Sequence, residues 1–371
     1  MPTYPTYKLG DVAEIINGKN QKEVVSSQGD YPIYGSGGII GWATDYLCKE
    51  NSTIIGRKGT IDSPIFVNRK FWNVDTAFGI QPSERVLPRY LFFFCKSFDF
   101  KKLDKSTTIP SLAKRDLLQI SIPLPPLPTQ QAIVTRIESL FAELDKAAEH
   151  LRTAQQQLKT YRQAVLNHWL NNDDGKWETV KLGEVAEMCL GKMLDKNKNK
   201  GTYQPYLRNV NVRWGSFDLD DLLEMRFEES EQDRYGVRKG DLIMCEGGEP
   251  GRCAIWNATV PNMKIQKALH RIRVRDSIYN KFVYYLFSLY AQNGRLEKYF
   301  TGTTIKHLTG QSLKTIEIPL PPLTEQHRIV KEIESRLSQA TTSETYIEKA
   351  LQQAEALRQS ILKKAFSGEL V

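Results

Sequence analysis

The sequence predicts an α+β protein built from one unit written twice, in which each of two globular segments of mixed strand and helix leads into one long helix. Three observations predict it. The hexapeptide IPLPPL stands at Ile122–Leu127 and again at Ile318–Leu323, 196 residues apart. After each copy, residues 129–174 and 323–367 contain no Gly or Pro and are rich in Ala, Leu, Gln, Glu, Lys and Arg, as helices are. Before each copy, short apolar runs are broken by Gly, Asn and Asp, as strands and turns are.

The repeat extends well beyond the hexapeptide. IPLPPLPTQQAIVTRIES and IPLPPLTEQHRIVKEIES share 12 of 18 residues, and upstream TTIPSLAKRDLLQI matches TTIKHLTGQSLKTI at the same offset. Nearer the front, TYKLGDVAEIINGK (6–19) matches TVKLGEVAEMCLGK (179–192) at an offset of 173, so the second copy holds 23 additional residues. This is an internal duplication. Its borders are alike, while the interiors of the two globular segments barely align.

In the first globular segment the strand signals fall at Ser52–Ile55 and Ser63–Val67, with a short helix at Pro88–Ser97. The paired prolines cannot continue a strand or sit inside a helix, so they end the former and launch the latter from a stiff elbow. The first long helix carries its apolar register at Ile137, Phe141, Leu144, Ala148, Leu151, Leu158, Tyr161 and Val165. In the second segment, strands are expected at Tyr206–Val212, Gly240–Cys245 and Leu269–Val274, and a helix at Asn280–Tyr290. The second long helix repeats the register at Ile333, Leu337, Ala340, Ile347, Leu351, Ala354, Leu357 and Ile361. Steps of three and four over many turns make a heptad seam by which two helices pack. Some 40 helical residues reach roughly 60 Å.

Charge separates the two kinds of segment. The net charge is +8, yet residues 129–174 carry 5 basic against 6 acidic residues and 323–371 carry 7 against 7. Residues 1–128 carry 16 against 12 and 175–322 carry 23 against 18, so the whole excess lies on the globular parts. Basic heads on neutral connectors point to a polyanion partner for the heads. The apolar runs are far shorter than the roughly 18 residues of a membrane span, and MPTYPTYKLG has no signal-peptide pattern. Five cysteines without a CxxC pair give no disulfide framework. These readings predict a cytoplasmic protein with no membrane association.

The chemistry-bearing motifs are missing. No Asn/Asp-Pro-Pro-aromatic tetrapeptide or F-x-G-x-G marks a DNA amino-methyltransferase, and no Glu-x-Lys marks the common nuclease pattern. GSGGIIG (35–41) has the wrong spacing for a dinucleotide loop, and no GxxxxGK[ST] occurs; these glycines read as turn residues. GGEPGR (247–252) lacks a phosphate-binding Lys and reads as a tight loop. The five histidines, at 150, 168, 270, 307 and 327, lack metal-ligand spacing. No catalytic residue and no metal site is expected.

Two divergent basic heads and two similar long helices resemble the specificity subunit of type I restriction–modification enzymes, along the whole chain. The resemblance is carried by KLG(D/E)VAE at 8–14 and 181–187, KGDLIMCEGGEPGR at 239–252, IPLPPL-x-x-Q followed by IV-x-x-IES, and ILKKAFSGELV at 361–371. It implies target recognition domains at 1–121 and 176–317, with a central conserved helical region at 122–175 and a distal one at 318–371. The helices would pack antiparallel as a spacer and dock two methyltransferase subunits, and through them restriction subunits. Each head would read one half of an asymmetric, bipartite double-stranded DNA target. The chain would hold no cofactor, with S-adenosylmethionine, ATP and Mg on the partner subunits.

Base readout and phosphate contact both need Arg, Lys, Asn or Gln. The candidates in the first head are Arg57, Lys58 and Lys70, around GRKG and VNRKFW. In the second they are Arg208, Asn209, Asn211 and Arg213 of YLRNVNVRWG, with Arg252, Lys267 and Lys306. For interhelix packing they are Ile137, Phe141, Leu144, Leu151, Leu158, Ile333, Leu337, Ile347, Leu351 and Ile361. The competing reading is a coiled-coil scaffold whose duplicated heads bind protein or glycan.

Overall fold

The computed structural model describes residues 4–171, 175–195 and 197–371. The chain divides into two units, Met1–Thr153 with Ile347–Val371, and Ala154–Tyr346. The long helices span Leu127–Leu170 and Leu323–Ser367, so each unit holds one head and part of each helix. The expected extension of the first helix over 172–174 lies outside the described residues.

In the first unit, the strand entering the head, Thr6–Lys8, pairs antiparallel with the strand leaving it, Ser121–Pro123. A four-stranded antiparallel sheet follows, ordered Ala13–Asn17, Ala77–Pro82, Ser52–Gly56, Ile65–Val67. A smaller sheet is ordered Gly38–Ala43, Tyr31–Gly35, Trp72–Asn73. The stretch Gly35–Gly38 closes its hairpin, with Gly38 at φ +128°, whereas Gly41, also expected in a turn, lies inside the strand opposite Ile33. The helix Pro88–Ser97 buries Tyr90, Leu91, Phe93 and Phe94 in one core with Ile15, Phe78 and Ile80 of the larger sheet.

The second unit repeats this plan. Thr179–Lys181 pairs with Glu317–Pro319, and the four-stranded sheet is ordered Ala186–Leu190, Leu269–Val274, Leu242–Cys245, Cys253–Ile255. The smaller sheet is ordered Leu223–Phe227, Thr202–Leu207, Lys264–Ile265, and Val212–Arg213 forms an added hairpin with Ser216–Phe217. The strand expected at Tyr206–Val212 instead breaks after Leu207 into a 3-10 turn at Asn209–Asn211. Asn211 causes the break, because its side chain accepts from the Arg208 N–H at 2.9 Å and folds the chain back.

The glutamine three residues past each hexapeptide explains why that element recurs. Gln130 and Gln326 are fully buried. Gln130 accepts from the Leu87 N–H and donates to the carbonyls of Arg85 and Pro125, all at 2.9 Å. Gln326 accepts from the Tyr279 N–H at 2.7 Å and donates to Ser277 and Pro321 at 3.1 and 2.8 Å. One amide thereby ties the start of each long helix to the loop before the short helix of its own head. The buried backbone groups at the elbow gain the partners they need.

Within each unit the helical segments run antiparallel, since partners rise in number on one as they fall on the other. In the first unit Ile137 shares a core with Ile361 and Leu362, and Arg358 pairs with Asp145. In the second, Ile333 shares a core with Val165 and Leu166, and Arg162 donates to Thr341 at 2.9 Å and Glu344 at 3.0 Å. Phe141 and Leu144 pack on the first core and Leu337 on the second. Leu151, Leu158, Ile347 and Leu351 are half-buried. The register differs from expectation at one repeated place. Tyr161 and Leu357 are 38 % and 48 % exposed, and the next residues, Arg162 and Arg358, take the seam instead. A long stem lets arginine pack like an apolar residue while its head group finds a carboxylate.

Candidate nucleic-acid interface

In the first head, three chain segments meet where the strand Ser52–Gly56 ends. The N–H groups of Arg57 and Lys58 donate to the Thr76 carbonyl at 2.8 and 3.2 Å. The Gly59 N–H donates to Pro110 at 2.9 Å, and the Leu112 N–H to the Arg57 carbonyl at 2.8 Å. Glycine is required at position 56, where a Cβ would lie 1.8 Å from the Thr60 carbonyl oxygen. The Arg57 side chain donates to the Asp75 carbonyl at 3.2 Å and is half-buried, whereas Lys58 is exposed. Lys70 is engaged with Tyr46, donating to its hydroxyl at 3.3 Å with the ammonium 4.5 Å from the ring centre.

The second head builds the same junction from different residues. After the strand Leu242–Cys245, the Glu246 N–H donates to the Ala268 carbonyl and the Leu308 N–H to the Glu246 carbonyl, both at 2.8 Å. Gly247 is bridged to His307, and Lys267 and Lys306 are exposed beside these contacts. Ala268 holds φ at +106°, a conformation an L-residue adopts only under strain. Asn209 joins the junction through its carbonyl, which accepts from Arg252 at 3.0 Å.

Several candidate residues turn out to serve the fold. Asn211 is 2 % exposed, and its amide donates to the carbonyls of Asp218 and Asp221 at 3.0 and 3.2 Å, so it has no group left for a base edge. Arg208 is held by the Asp221 carboxylate at 2.6 Å and its carbonyl at 2.9 Å. Arg252 is tied to Glu249 at 2.7 Å as well as to Asn209, and its side chain is only 17 % exposed. The two arginines share a cause: acidic neighbours in DLDD and GGEP engage the cations within the protein. Arg213 pairs with Asp218 at 3.3 Å but stays half exposed. Lys58, Lys267 and Lys306 remain the exposed cations at the two junctions, with Arg213 partly so.

His270 pins the second junction. It is fully buried, its Nε2 donates to the Leu308 carbonyl at 2.8 Å, and its Nδ1 has no partner. Burial holds its pKa below the usual imidazole value, against smaller raising effects of the Leu308 bond and Glu246. The unfolded chain therefore binds more protons than the folded one as pH falls below about 6.5, and stability drops in that window. We expect the melting temperature to fall more steeply between pH 6.5 and 5 than in a His270→Gln variant, with carboxylate titrations common to both cancelling in the difference.

Among the described residues no cluster of three or more His, Cys, Asp and Glu could hold a metal. Burial pushes the Cys48 and Cys95 thiols up to about 12, which makes them packing residues and not nucleophiles. No helix among the described residues is long and apolar enough to cross a membrane.

The model of the type I restriction modification DNA specificity domain matches this chain at residues 1–151 and again at 174–353. The chain belongs to this family. The family match falls twice, once on each copy of the repeat. Relatives include the type I restriction enzyme EcoKI specificity subunit of Escherichia coli K12, 27 % identical over 312 residues, covering 78 % of this chain and 67 % of that one. The EcoDI specificity subunit of Escherichia coli is 23 % identical over 404 residues, covering 99 % and 88 %. Among solved structures, an HsdS subunit from Thermoanaerobacter tengcongensis superposes with a TM-score of 0.66 at 20 % identity, covering 100 % and 98 % of the two chains. A chain from a study of complex assembly and conformational transition of the type I R-M system gives 0.79 at 19 %, covering 100 % and 99 %. These two share the fold. The protein is a specificity subunit of a type I restriction–modification system, the non-catalytic recognition component.

Proposed function

We propose that each head reads one half of an asymmetric, bipartite DNA target, and that the long helices set the spacing and dock two methyltransferase subunits. The observation that carries this reading is the duplication itself: one junction geometry, built twice, with different side chains facing out. Lys58 in one head and Lys267, Lys306 and Arg213 in the other would contact DNA, and unlike residues would read unlike half-sites.

Support for docking twice comes from matched clefts in the two units. Beside the first head, Phe92, Phe93, Phe141 and Arg358 line a cleft, and Arg89 bridges to Glu138 at 2.8 Å. Beside the second, Tyr284, Tyr285, Leu337 and Arg162 line its counterpart, and Lys281 bridges to Glu334 at 2.6 Å. A repeated surface of this kind suits a partner present in two copies. Methyl transfer with S-adenosylmethionine, and cleavage with ATP and Mg, would belong to the methyltransferase and restriction subunits, working in the cytoplasm where the DNA is.

The test is the salt dependence of binding by the chain assembled with its methyltransferase subunit. A complex that neutralises about 6–10 phosphates should lose about 10³–10⁵-fold in DNA affinity between about 50 and 200 mM salt, through counterion release. An assembled complex that shows no salt-sensitive affinity for duplex DNA would favour the scaffold reading.

A further inference from the structure

The tripeptide Thr-Thr-Ile occurs at 107–109 and 303–305, at equivalent positions of the two heads. Ile109 is 62 % exposed and Ile305 is 66 % exposed, and all four threonines are exposed. A large apolar residue left in water at both places, where the matched border of each head begins, is not explained by the fold. The frames behind the tips make this clearer, because the heads present the same tip by different means. In the first, the Asp104 carboxylate accepts from the N–H groups of Ser106 and Ser111 at 3.0 and 3.1 Å and closes the base of the loop. In the second, the position of Asp104 is taken by Phe300, and Thr301 and His307 close the base through two backbone bonds of 2.8 Å. Gly302 sits at φ +90°, where a Cβ would meet the Ile305 carbonyl oxygen at 2.2 Å, so this turn depends on glycine. Two unlike frames holding out one identical tip indicate that the tip is what is kept.

The tips also stand at the cationic junctions. Pro110, next to Ile109, accepts from the Gly59 N–H beside the exposed Lys58, and Ile305 adjoins the exposed Lys306. A residue that is the same in both heads cannot distinguish two half-sites. On DNA it can touch only what the half-sites have in common, such as the sugar–phosphate backbone and the wall of the groove. Resting on the DNA-reading role of the heads, we infer that the two Thr-Thr-Ile tips are a sequence-independent DNA clamp. The threonine hydroxyls donate to phosphate oxygens and the isoleucine packs on the deoxyribose and groove wall, with Lys58 or Lys306 adding charge. The neighbouring cations favour this occupant over an apolar protein surface.

The test uses the chain assembled with its methyltransferase subunit, comparing it with Ile109→Ser, Ile305→Ser and the double variant. Because both side chains are exposed, the melting temperature should not move. Each single variant should weaken binding about tenfold, to target and non-target duplex alike, and the double variant further. The methylated sequence should stay the same and assembly should stay intact. Loss of methyltransferase assembly with DNA affinity retained would overturn the inference and assign the tips to the partner. Unchanged affinity with unchanged assembly would overturn it too, as would loss confined to the target duplex. Failure of the unsubstituted complex to bind any duplex would instead count against the DNA-reading role itself.

Discussion

Replacing Ile137 with Asp should unfold the first unit, whereas Leu357→Asp, only a few turns away on the partner segment, should be nearly silent. Ile137 is fully buried among residues that include Ile133, Val134, Ile361 and Leu362. Removing a buried isoleucine costs about 2–5 kcal/mol, and burying a carboxylate without a partner adds several more. A typical domain is stable by only about 5–15 kcal/mol, so the sum is enough to abolish the fold. Ile333, equivalent in the repeat and equally buried in the second unit, should behave likewise. Leu357 is 48 % exposed, and a surface substitution of this kind changes stability within about 0.5 kcal/mol. Urea unfolding of the three variants decides the matter. Equal losses for Ile137→Asp and Leu357→Asp would mean that the seam runs in another register.

The contrast also shows what a sequence reading reaches. Periodicity located both long helices to within a few residues, because a seam of apolar side chains must recur every three or four positions to stay buried. It misplaced the seam at Tyr161 and Leu357 because it scored arginine as a surface residue. Arg358 instead lies with its guanidinium 4.9 Å from the Phe141 ring centre and pairs with Asp145, contacts set by the partner segment more than 200 residues away. The hexapeptide and its following glutamine recur for a similar reason. Gln130 and Gln326 must satisfy the same backbone groups in each unit, so neither copy could change.

The candidate interface was less legible. Residue type marks a cation but not its nearest carboxylate, and in the second head Asp221 and Glu249 engage Arg208 and Arg252 within the protein. The hydrogen-bonding capacity that marks Asn211 as a base reader instead folds the 3-10 turn. The matching tips at Ile109 and Ile305 were visible as a repeat, but their exposure was not, since an isoleucine in a sequence reads as core. The junction of segments around Gly56–Gly59 and Glu246–Gly248 joins residues about 20 positions apart to others about 50 to 60 positions apart, which no local pattern reveals.

The largest functional effect expected is a change of target. Exchanging residues 20–121 for the matching segment of a specificity subunit with another target replaces the first head while leaving the second head and both long helices intact. Lys58 and its surrounding loops are exchanged, while Lys267, Lys306 and Arg213 are not. If each head reads alone, the hybrid should recognise one new half-site joined to one old half-site. The spacing between them should be kept, because the helices that set it are untouched. The measurement is genome-wide mapping of methylated sites in cells expressing the hybrid with its methyltransferase subunit, beside cells expressing the unaltered chain. The account predicts a methylated sequence with one half changed and the other half and the gap retained. A hybrid that assembles with its methyltransferase but methylates a target altered in both halves, or in neither, would contradict it.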